Sequence, residues 1–151
     1  MPSRERVEQL IAQVERGEFV SAIEEFYTEE ASMRENQQRP RWGRERLIAR
    51  ERGILIAYKS VRALPGTSYL VDGDRAAIHW VLEFTWRDGH RFTQDEIAYQ
   101  RWVGDRIDEE RFYYDPAQRR LGGVLRVRQM LSEFLFELRG KSPRQRGSLP
   151  R

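Results

Sequence analysis

The sequence predicts an α+β fold in which three helices precede and cover one face of a curved sheet. Apolar residues recur at a helical spacing as far as Tyr58, and beyond it they alternate with polar residues, as in strands. Two turn signals, Asp88-Gly89 and Gly104-Asp105, divide the alternating part into long segments. Such turns join neighbouring antiparallel strands. Helices followed by a meander of this kind gather on one side of the sheet.

The three helices are marked by their ends and by their apolar stripes. The first begins after Ser3, whose side chain can cap it, and ends at Gly17. A second, short helix spans the apolar residues from Phe19 to Phe26. The third begins near Gly43, and Glu51 falls on the same side as its apolar residues, which are Leu47, Ile48, Ile54, Leu55 and Tyr58.

The strand pattern begins with a brief segment at residues 31–35 and returns after the third helix. Pro65-Gly66 interrupts the next segment, residues 60–71, and predicts a bulge or bend there. Three long strands follow, at residues 75–86, 91–103 and 106–114.

A two-residue turn at Asp88-Gly89 would pair Arg87 with His90 and thereby fix both faces of the hairpin. The predicted inner face is rich in large apolar groups and should meet the helices; it contains Ile78, Trp80, Leu82, Phe84, Thr93, Asp95, Ile97, Tyr99, Arg101, Glu110, Phe112 and Tyr114. The opposite face is mixed, and it includes Phe92, Gln94, Glu96, Ala98, Gln100, Trp102 and Ile107. A half-polar outer face of this kind suits a subunit contact.

Asp95 is the first candidate catalytic residue, because this register places a carboxylate among aromatic side chains. Burial would raise its pKa unless a cation pairs with it. Arg101 lies too far along the same strand, so Arg34 on the first strand is the possible partner. Two interpretations stay open: a general acid or base in a closed pocket, and a carboxylate at the sheet rim in contact with water.

Glu35 is the second candidate, because it ends the first strand, where a pocket would open. It is either a base near the aromatic walls or a solvated loop acid. The side chains predicted to line the pocket are Trp80, Tyr58, Tyr99, Tyr114, Phe112, Leu82 and Arg34. The aromatic residues among them would equally suit core packing.

Composition argues against several classes of function. The chain has no cysteine and only two histidines, so thiolate chemistry is excluded and a metal site is not expected. There is no glycine-rich phosphate loop. Glu83, Glu96 and Glu109 on the predicted outer face would repel nucleic acid. The N-terminal residues lack an apolar run, and a cytoplasmic location without membrane insertion is expected.

The chain is expected to form one α+β domain at residues 1–116, an amphipathic helix at 117–139 and a disordered basic tail at 140–151. Residues 117–151 hold nine Lys+Arg and two acids, a net charge of +7, which leaves −4 of the chain's +3 for residues 1–116. The apolar stripe of the C-terminal helix must be covered. We therefore expect a homodimer through this helix, through the outer face of the sheet, or through both.

Three motifs give the chain a family resemblance. They are W-x-x-E-x-T-x-x-D-G at residues 80–89, Q-R-W-x-G-D-R-I at 100–107 and E-R-F-Y-Y-D-P at 110–116. With the preceding helices and the Gly43-Arg44-Glu45 helix start, residues 4–116 resemble the SnoaL-like branch of the nuclear transport factor two-like (NTF2-like) superfamily. The resemblance implies a cone, meaning a strongly bent mixed or antiparallel sheet around helices, with a pocket inside and no metal or cofactor.

The resemblance leaves the activity open between several chemistries. Ketosteroid isomerases carry a tyrosine where this chain has Leu10 and an aspartate near Ala98, so only the region of Glu35 matches them. Polyketide cyclases and epoxide hydrolases use acids on the central strands, where Asp95 or Glu83 could serve. We expect a cofactor-independent acid-base protein that acts on a small apolar or cyclic molecule. The alternative is a non-catalytic ligand-binding or dimerisation domain.

Overall fold

The computed structural model describes residues 1–119. The predictions made for the rest of the C-terminal helix and for the basic tail concern residues outside that range. The helices are α1 (Arg4–Glu15), α2 (Phe19–Phe26) and α3 (Arg44–Ala57), and a 3₁₀ turn covers Pro116–Arg119. The strands are β1 (Tyr27–Glu35), β2 (Arg41–Trp42), β3 (Ser60–Ala63), β4 (Ser68–Asp72), β5 (Arg75–Thr85), β6 (Arg91–Val103) and β7 (Arg106–Tyr114).

The helices begin and end where the sequence predicts. The Ser3 hydroxyl accepts a hydrogen bond from the backbone N–H of Arg6 at 3.0 Å and caps α1. Gly17 follows α1 with a φ of +82°, a left-handed conformation that glycine adopts without steric cost. Gly43 precedes α3. None of the helices within residues 1–119 is long and apolar enough to cross a bilayer.

The seven strands form one curled, mixed sheet in the order β2-β1-β7-β6-β5-β3, and β4 also pairs with β5. Only β1 and β7 run parallel among these strands of the described chain. Pro65-Gly66 does interrupt the segment at residues 60–71, so that β3 and β4 pair with successive parts of the long strand β5. The predicted α+β fold with a curved sheet is therefore confirmed, while the two-residue strand β2 was not predicted.

The inner face of the sheet and the three helices share one hydrophobic core. Its most completely buried residues include Val7, Phe26, Leu47, Ile78, Trp102 and Ile107. They come from all three helices and from the three long strands, so the packing of this core holds the helices against the sheet.

The predicted register of the central hairpin is wrong by one residue. The backbone N–H of Trp86 donates to the carbonyl of His90 at 2.7 Å, so the loop has three residues, 87–89, instead of two. Gly89 adopts a φ of +89°, which completes this wider turn. Trp80 consequently pairs with Glu96, and Val81 pairs with Asp95.

This shift exchanges the two faces of β6, because side chains alternate along a strand. The side chains that turn inward and are buried are Phe92, Gln94, Glu96, Ala98, Gln100 and Trp102. The side chains that turn outward are Thr93, Asp95, Ile97, Tyr99 and Arg101. The inner-face positions predicted for β5 are unaffected, and Ile78, Trp80 and Phe84 are buried there.

A second irregularity restores the predicted faces in most of β7. The β6–β7 register shifts between Arg101 and Trp102, so that Gln100 pairs with Glu110 while Trp102 pairs with Ile107. A bulge of this kind offsets the earlier one-residue error. Glu110 therefore lies on the inner face as predicted, whereas Ile107, predicted on the outer face, is fully buried.

Candidate functional site

A cavity of about 190 Å³ lies between the inner face of the sheet and the helices. Its apolar walls come from α1, α2, α3 and the central strands, and they include Leu10, Phe19, Ile23, Ile54, Trp80 and Phe84. Its polar groups are Glu35, Arg50, Glu51, Gln94, Glu96, Gln100, Glu110 and Arg119, with the hydroxyls of Tyr27, Tyr58 and Tyr114. The lining is thus apolar at α1 and α2, while the polar groups come from α3, the sheet and the 3₁₀ turn.

Six of the residues predicted for the site lie on the wall of this cavity. They are Glu35, Tyr58, Trp80, Leu82, Phe112 and Tyr114. Trp80, Leu82, Phe112 and Tyr114 lie on β5 and β7, where the predicted inner face agrees with the structure at these positions, so the register error in β6 does not affect them.

The structure places Asp95, Tyr99 and Arg34 away from the cavity. The side chain of Asp95 is 64 % exposed on the outer face, where its Oδ1 lies 2.7 Å from Nε2 of His79. Tyr99 is 43 % exposed on the same face. Both displacements follow from the three-residue loop. Arg34 alternates with Met33 and Glu35, which do line the cavity, so its side chain turns away from the cavity. Its strand pairs with β7 and not with β6, and Asp95 contacts His79 instead.

Glu35 is buried in a cluster that supplies it with two cations. It is 5 % exposed, Arg50 forms an ion pair with Oε1, and Arg119 lies 3.6 Å from Oε2. The Tyr114 hydroxyl donates a hydrogen bond to Oε2, and the Arg119 guanidinium lies 4.5 Å from the centre of the Tyr114 ring. Glu35 is therefore a compensated carboxylate that holds Arg50 and Arg119 at one side of the cavity.

Glu110 is buried, and no cation of residues 1–119 lies beside it. It is 4 % exposed, its Oε1 accepts from Nε2 of Gln100 at 2.8 Å, and its Oε2 accepts from the Tyr27 hydroxyl. The indole N–H of Trp102 donates to Oε1 of Gln100 at 3.0 Å and so fixes the orientation of that amide. Burial raises the pKa of Glu110 to about 7, although both hydrogen bonds oppose the shift.

Glu96 faces the same cavity from the neighbouring strand. It is 5 % exposed, and its Oε2 accepts a hydrogen bond from Gln94, whose own Oε1 accepts from Nε of Arg119 at 2.5 Å. Burial raises the pKa of Glu96 to about 7, and the charge of Glu110 adds to the rise. Within residues 1–119, Oε1 of Glu96 has no hydrogen-bond partner.

Glu51 approaches the cavity from α3, on the apolar side where the sequence places it. Burial raises the pKa of its carboxyl, and the charge of Arg50 partly opposes this. In the described part of the chain no salt bridge reaches Glu51, Glu96 or Glu110. Three carboxyl groups therefore exchange protons above their ordinary pH range beside one cavity, which is the property a general acid or base at neutral pH requires.

Sequence reasoning missed Glu96 and Glu110 for different reasons. Glu110 was placed on the correct face, but nothing in the pattern distinguished it from a rim acid. Glu96 was placed on the outer face by the register error. The composition of β6 could have indicated its true position, because Glu96 shares a face with Phe92, Ala98 and Trp102, which are residue types that are often buried.

Metal coordination has no support in this region. Among residues 1–119, no three histidine, aspartate or glutamate side chains converge as ligands for an ion.

The sequence matches no protein-family model and no curated protein. Many solved structures share its fold. A candidate SnoaL-like polyketide cyclase from Mesorhizobium loti is 23% identical, with a TM-score of 0.62 over 76% of this chain and 100% of that one. An NTF2-like protein of unknown function from Burkholderia pseudomallei is 13% identical, with a TM-score of 0.65 over 76% and 94% of the two chains.

TerC, co-crystallised with polyporic acid, is 12% identical to this chain, with a TM-score of 0.64 over 75% of this chain and 91% of TerC. Identities this low establish the fold and leave the activity to the residues of the site. The chain therefore has the cone-shaped α+β fold of the SnoaL-like and NTF2-like proteins, as its sequence motifs predict.

Proposed function

We propose that this protein binds a small, largely apolar organic molecule in the cone and transfers a proton to or from it without a cofactor. Glu96 is the proton-exchanging group, and Glu110 is the neighbouring acid that sets its pKa. The observation that carries the proposal is the pair of buried carboxyls beside one cavity, both with a pKa raised to about 7.

The different hydrogen bonding of the two carboxyls supports this division of roles. Both oxygens of Glu110 accept hydrogen bonds from side chains that are themselves fixed, so Glu110 stays in place. Glu96 keeps Oε1 available to a molecule in the cavity. A base with a pKa near the ambient pH is partly ionised and still strong enough to remove a proton, which contributes about 10²- to 10⁴-fold to a rate.

Two features support an organic ligand of modest size. The cavity is walled by aromatic and aliphatic side chains, which is the usual lining of small-molecule sites. TerC, which shares the fold, was co-crystallised with polyporic acid.

Arg119 stands at the polar side of the cavity, where a guanidinium would stabilise negative charge that develops on a substrate oxygen.

A general probe reaction tests the proposed base. A carboxylate that removes the C3 proton of 5-nitrobenzisoxazole causes the N–O bond to break and releases a coloured cyanophenolate, so the reaction can be followed by absorbance. We expect a saturable rate that rises with pH through a midpoint near 7, the pKa of Glu96. Glu96→Gln should lower this rate by about 10²-fold or more.

Two further variants make the result specific. Glu110→Gln removes a charge that raises the pKa of Glu96, so the midpoint should move to lower pH. Asp95→Asn changes an exposed carboxyl on the outer face and should leave the rate unaltered. Saturable binding without acceleration would instead identify a non-catalytic binding domain. An unchanged rate in Glu96→Gln would refute the role given to Glu96.

A further inference from the structure

The side chains around the cavity are unequally charged. Among residues 1–119, four glutamates and two arginines line it. Arg50 and Arg119 both lie beside Glu35, so the positive charge is concentrated at one carboxylate. Within residues 1–119, Glu51, Glu96 and Glu110 have no cation within salt-bridge distance. The cavity thus carries an excess of buried carboxyl groups, which is costly when they are ionised.

The three uncompensated acids come from different elements and face the same space. Glu51 lies on α3, Glu96 on β6 and Glu110 on β7. The other charged or titratable groups lining the cavity are Arg50 on α3, Tyr27 and Glu35 on β1, Tyr58 after α3, Tyr114 on β7 and Arg119 on the 3₁₀ turn. Within residues 1–119, Arg50 and Arg119 are the cations of this lining, and each lies within salt-bridge distance of Glu35 and of none of the three acids. Their charges act on Glu51 and Glu96 only from a greater distance.

A second observation indicates that the acids await a donor. Glu96 is 5 % exposed, yet its Oε1 faces the cavity without a hydrogen-bond partner in the described chain. The carboxylate of Glu51 likewise accepts no hydrogen bond from residues 1–119. Acceptors that face a cavity without a donor from residues 1–119 are free to accept hydrogen bonds from a molecule inside it.

We propose that the ligand of this cavity carries a protonated amine on an apolar or aromatic body, with the amine seated against Glu51 and Glu96. The inference rests on the proposed function, because it names the class of molecule that the same cavity takes. An ammonium group supplies both the missing positive charge and the missing hydrogen-bond donors.

The aromatic walls of the cavity also suit a molecule with an ammonium group and an apolar body. Trp80, Tyr27 and Phe112 are aromatic faces of the kind that attract a desolvated cation, and they also pack against an apolar body. An anionic guest would meet three carboxyls instead. Because burial raises the pKa values of Glu96 and Glu110 to about 7, an entering cation would displace protons that they hold at neutral pH.

Three probes of similar shape test the inference on the full chain by titration calorimetry. Benzylamine is cationic, benzyl alcohol is neutral and benzoate is anionic at pH 8. We expect benzylamine to bind at least about tenfold more tightly than benzyl alcohol, and benzoate to bind more weakly than either. The preference should shrink at pH 5, where Glu96 and Glu110 are protonated. Binding of benzylamine at pH 7 should release protons, measured by comparing buffers with different ionisation enthalpies.

Two variants locate the effect. Glu51→Gln should reduce the affinity for benzylamine by about tenfold and leave that for benzyl alcohol little changed, because only the amine needs the charge. Asp95→Asn should alter neither affinity, since Asp95 lies on the outer face.

The outcomes distinguish this inference from the function on which it rests. Equal or tighter binding of benzyl alcohol or benzoate would overturn the amine inference while leaving a ligand-binding cavity in place. A failure of all three probes to bind would overturn both.

Discussion

Glu35 and Glu110 show how one residue type takes two roles in the same cavity. Both are at most 5 % exposed and both accept hydrogen bonds. Arg50 and Arg119 lie beside Glu35, whereas the donors that residues 1–119 supply to Glu110 are neutral. Without a cation at contact distance in the described chain, burial is the largest influence on the pKa of Glu110 and raises it to about 7.

The raised pKa of Glu110 has a consequence for stability. An acid whose pKa is higher in the folded state than in the unfolded state stabilises the fold at low pH, and this contribution is lost as pH rises through about 7. Glu110→Gln cannot ionise and keeps a similar shape. We expect its stability relative to the original protein to improve by about 2 kcal/mol between pH 5 and pH 8.

Urea unfolding of both proteins at the two pH values measures this difference. Glu109→Gln is the matched control, because Glu109 is the exposed neighbour of Glu110 on β7 and its loss should not alter the pH dependence in this way. A Glu110→Gln protein that loses stability relative to the original between pH 5 and pH 8 would mean that Glu110 is an ordinary, compensated carboxylate.

At the scale of elements, the loop between β5 and β6 decides which acids meet the cavity. Asp-Gly is the usual sequence of a two-residue turn, and it predicts the wrong register here. The loop uses Gly89 at the left-handed position of a three-residue turn, and the backbone N–H of His90 donates to Oδ1 of Asp88 at 3.1 Å. Both turns suit the same residues, so local sequence preference could not distinguish them.

Gly89→Ala tests the importance of this turn, and Gly53→Ala is its control. At a φ of +89°, alanine is strained by about 1–2 kcal/mol, so Gly89→Ala should lower the free energy of unfolding by that amount. Gly53 lies inside α3, where an added Cβ meets open space, so alanine should raise it by about 0.5–1 kcal/mol. Equal effects of the two substitutions in urea unfolding would contradict the turn geometry.

The two irregularities of the sheet explain which parts of the site could be predicted from the sequence. Residues of β5, such as Trp80, and of β7, such as Tyr114, lie where the pattern places them, since the loop and the β7 bulge cancel. The faces are inverted in β6, which supplies Glu96, and at Ile107 near the start of β7. A bulge leaves no clear trace in an alternating pattern, because each strand on either side still alternates.

At the scale of the whole molecule, the helices and the bent sheet enclose a cavity, and a few inward side chains determine its chemistry. Other proteins with this fold share its architecture at 12–23% identity, so the shape does not determine the chemistry. The change from helical to alternating spacing in the sequence predicts the helices and the sheet that form this fold. The chemistry depends on cross-strand neighbours such as Gln100 and Glu110, which only the register brings together.

The outer face of the sheet carries exposed apolar side chains that could form the predicted homodimer contact. Ile97, Tyr99 and Tyr113 are each 40–43 % exposed there, and Ile97 pairs with Tyr113 across β6 and β7. An apolar surface of this kind is where a second copy would pack. The homodimer stays a prediction, and it does not affect the carboxyls inside the cone.

The central claim is that two glutamates inside the cone titrate near neutral pH, and carboxyl ¹³C NMR of the uniformly labelled chain tests it most directly. Glu96→Gln and Glu110→Gln assign the two resonances by their loss. We predict that both shift with midpoints near 7, and that removing either acid lowers the midpoint of the other. Midpoints near the ordinary glutamate value, about 4.3, for both resonances would contradict the account.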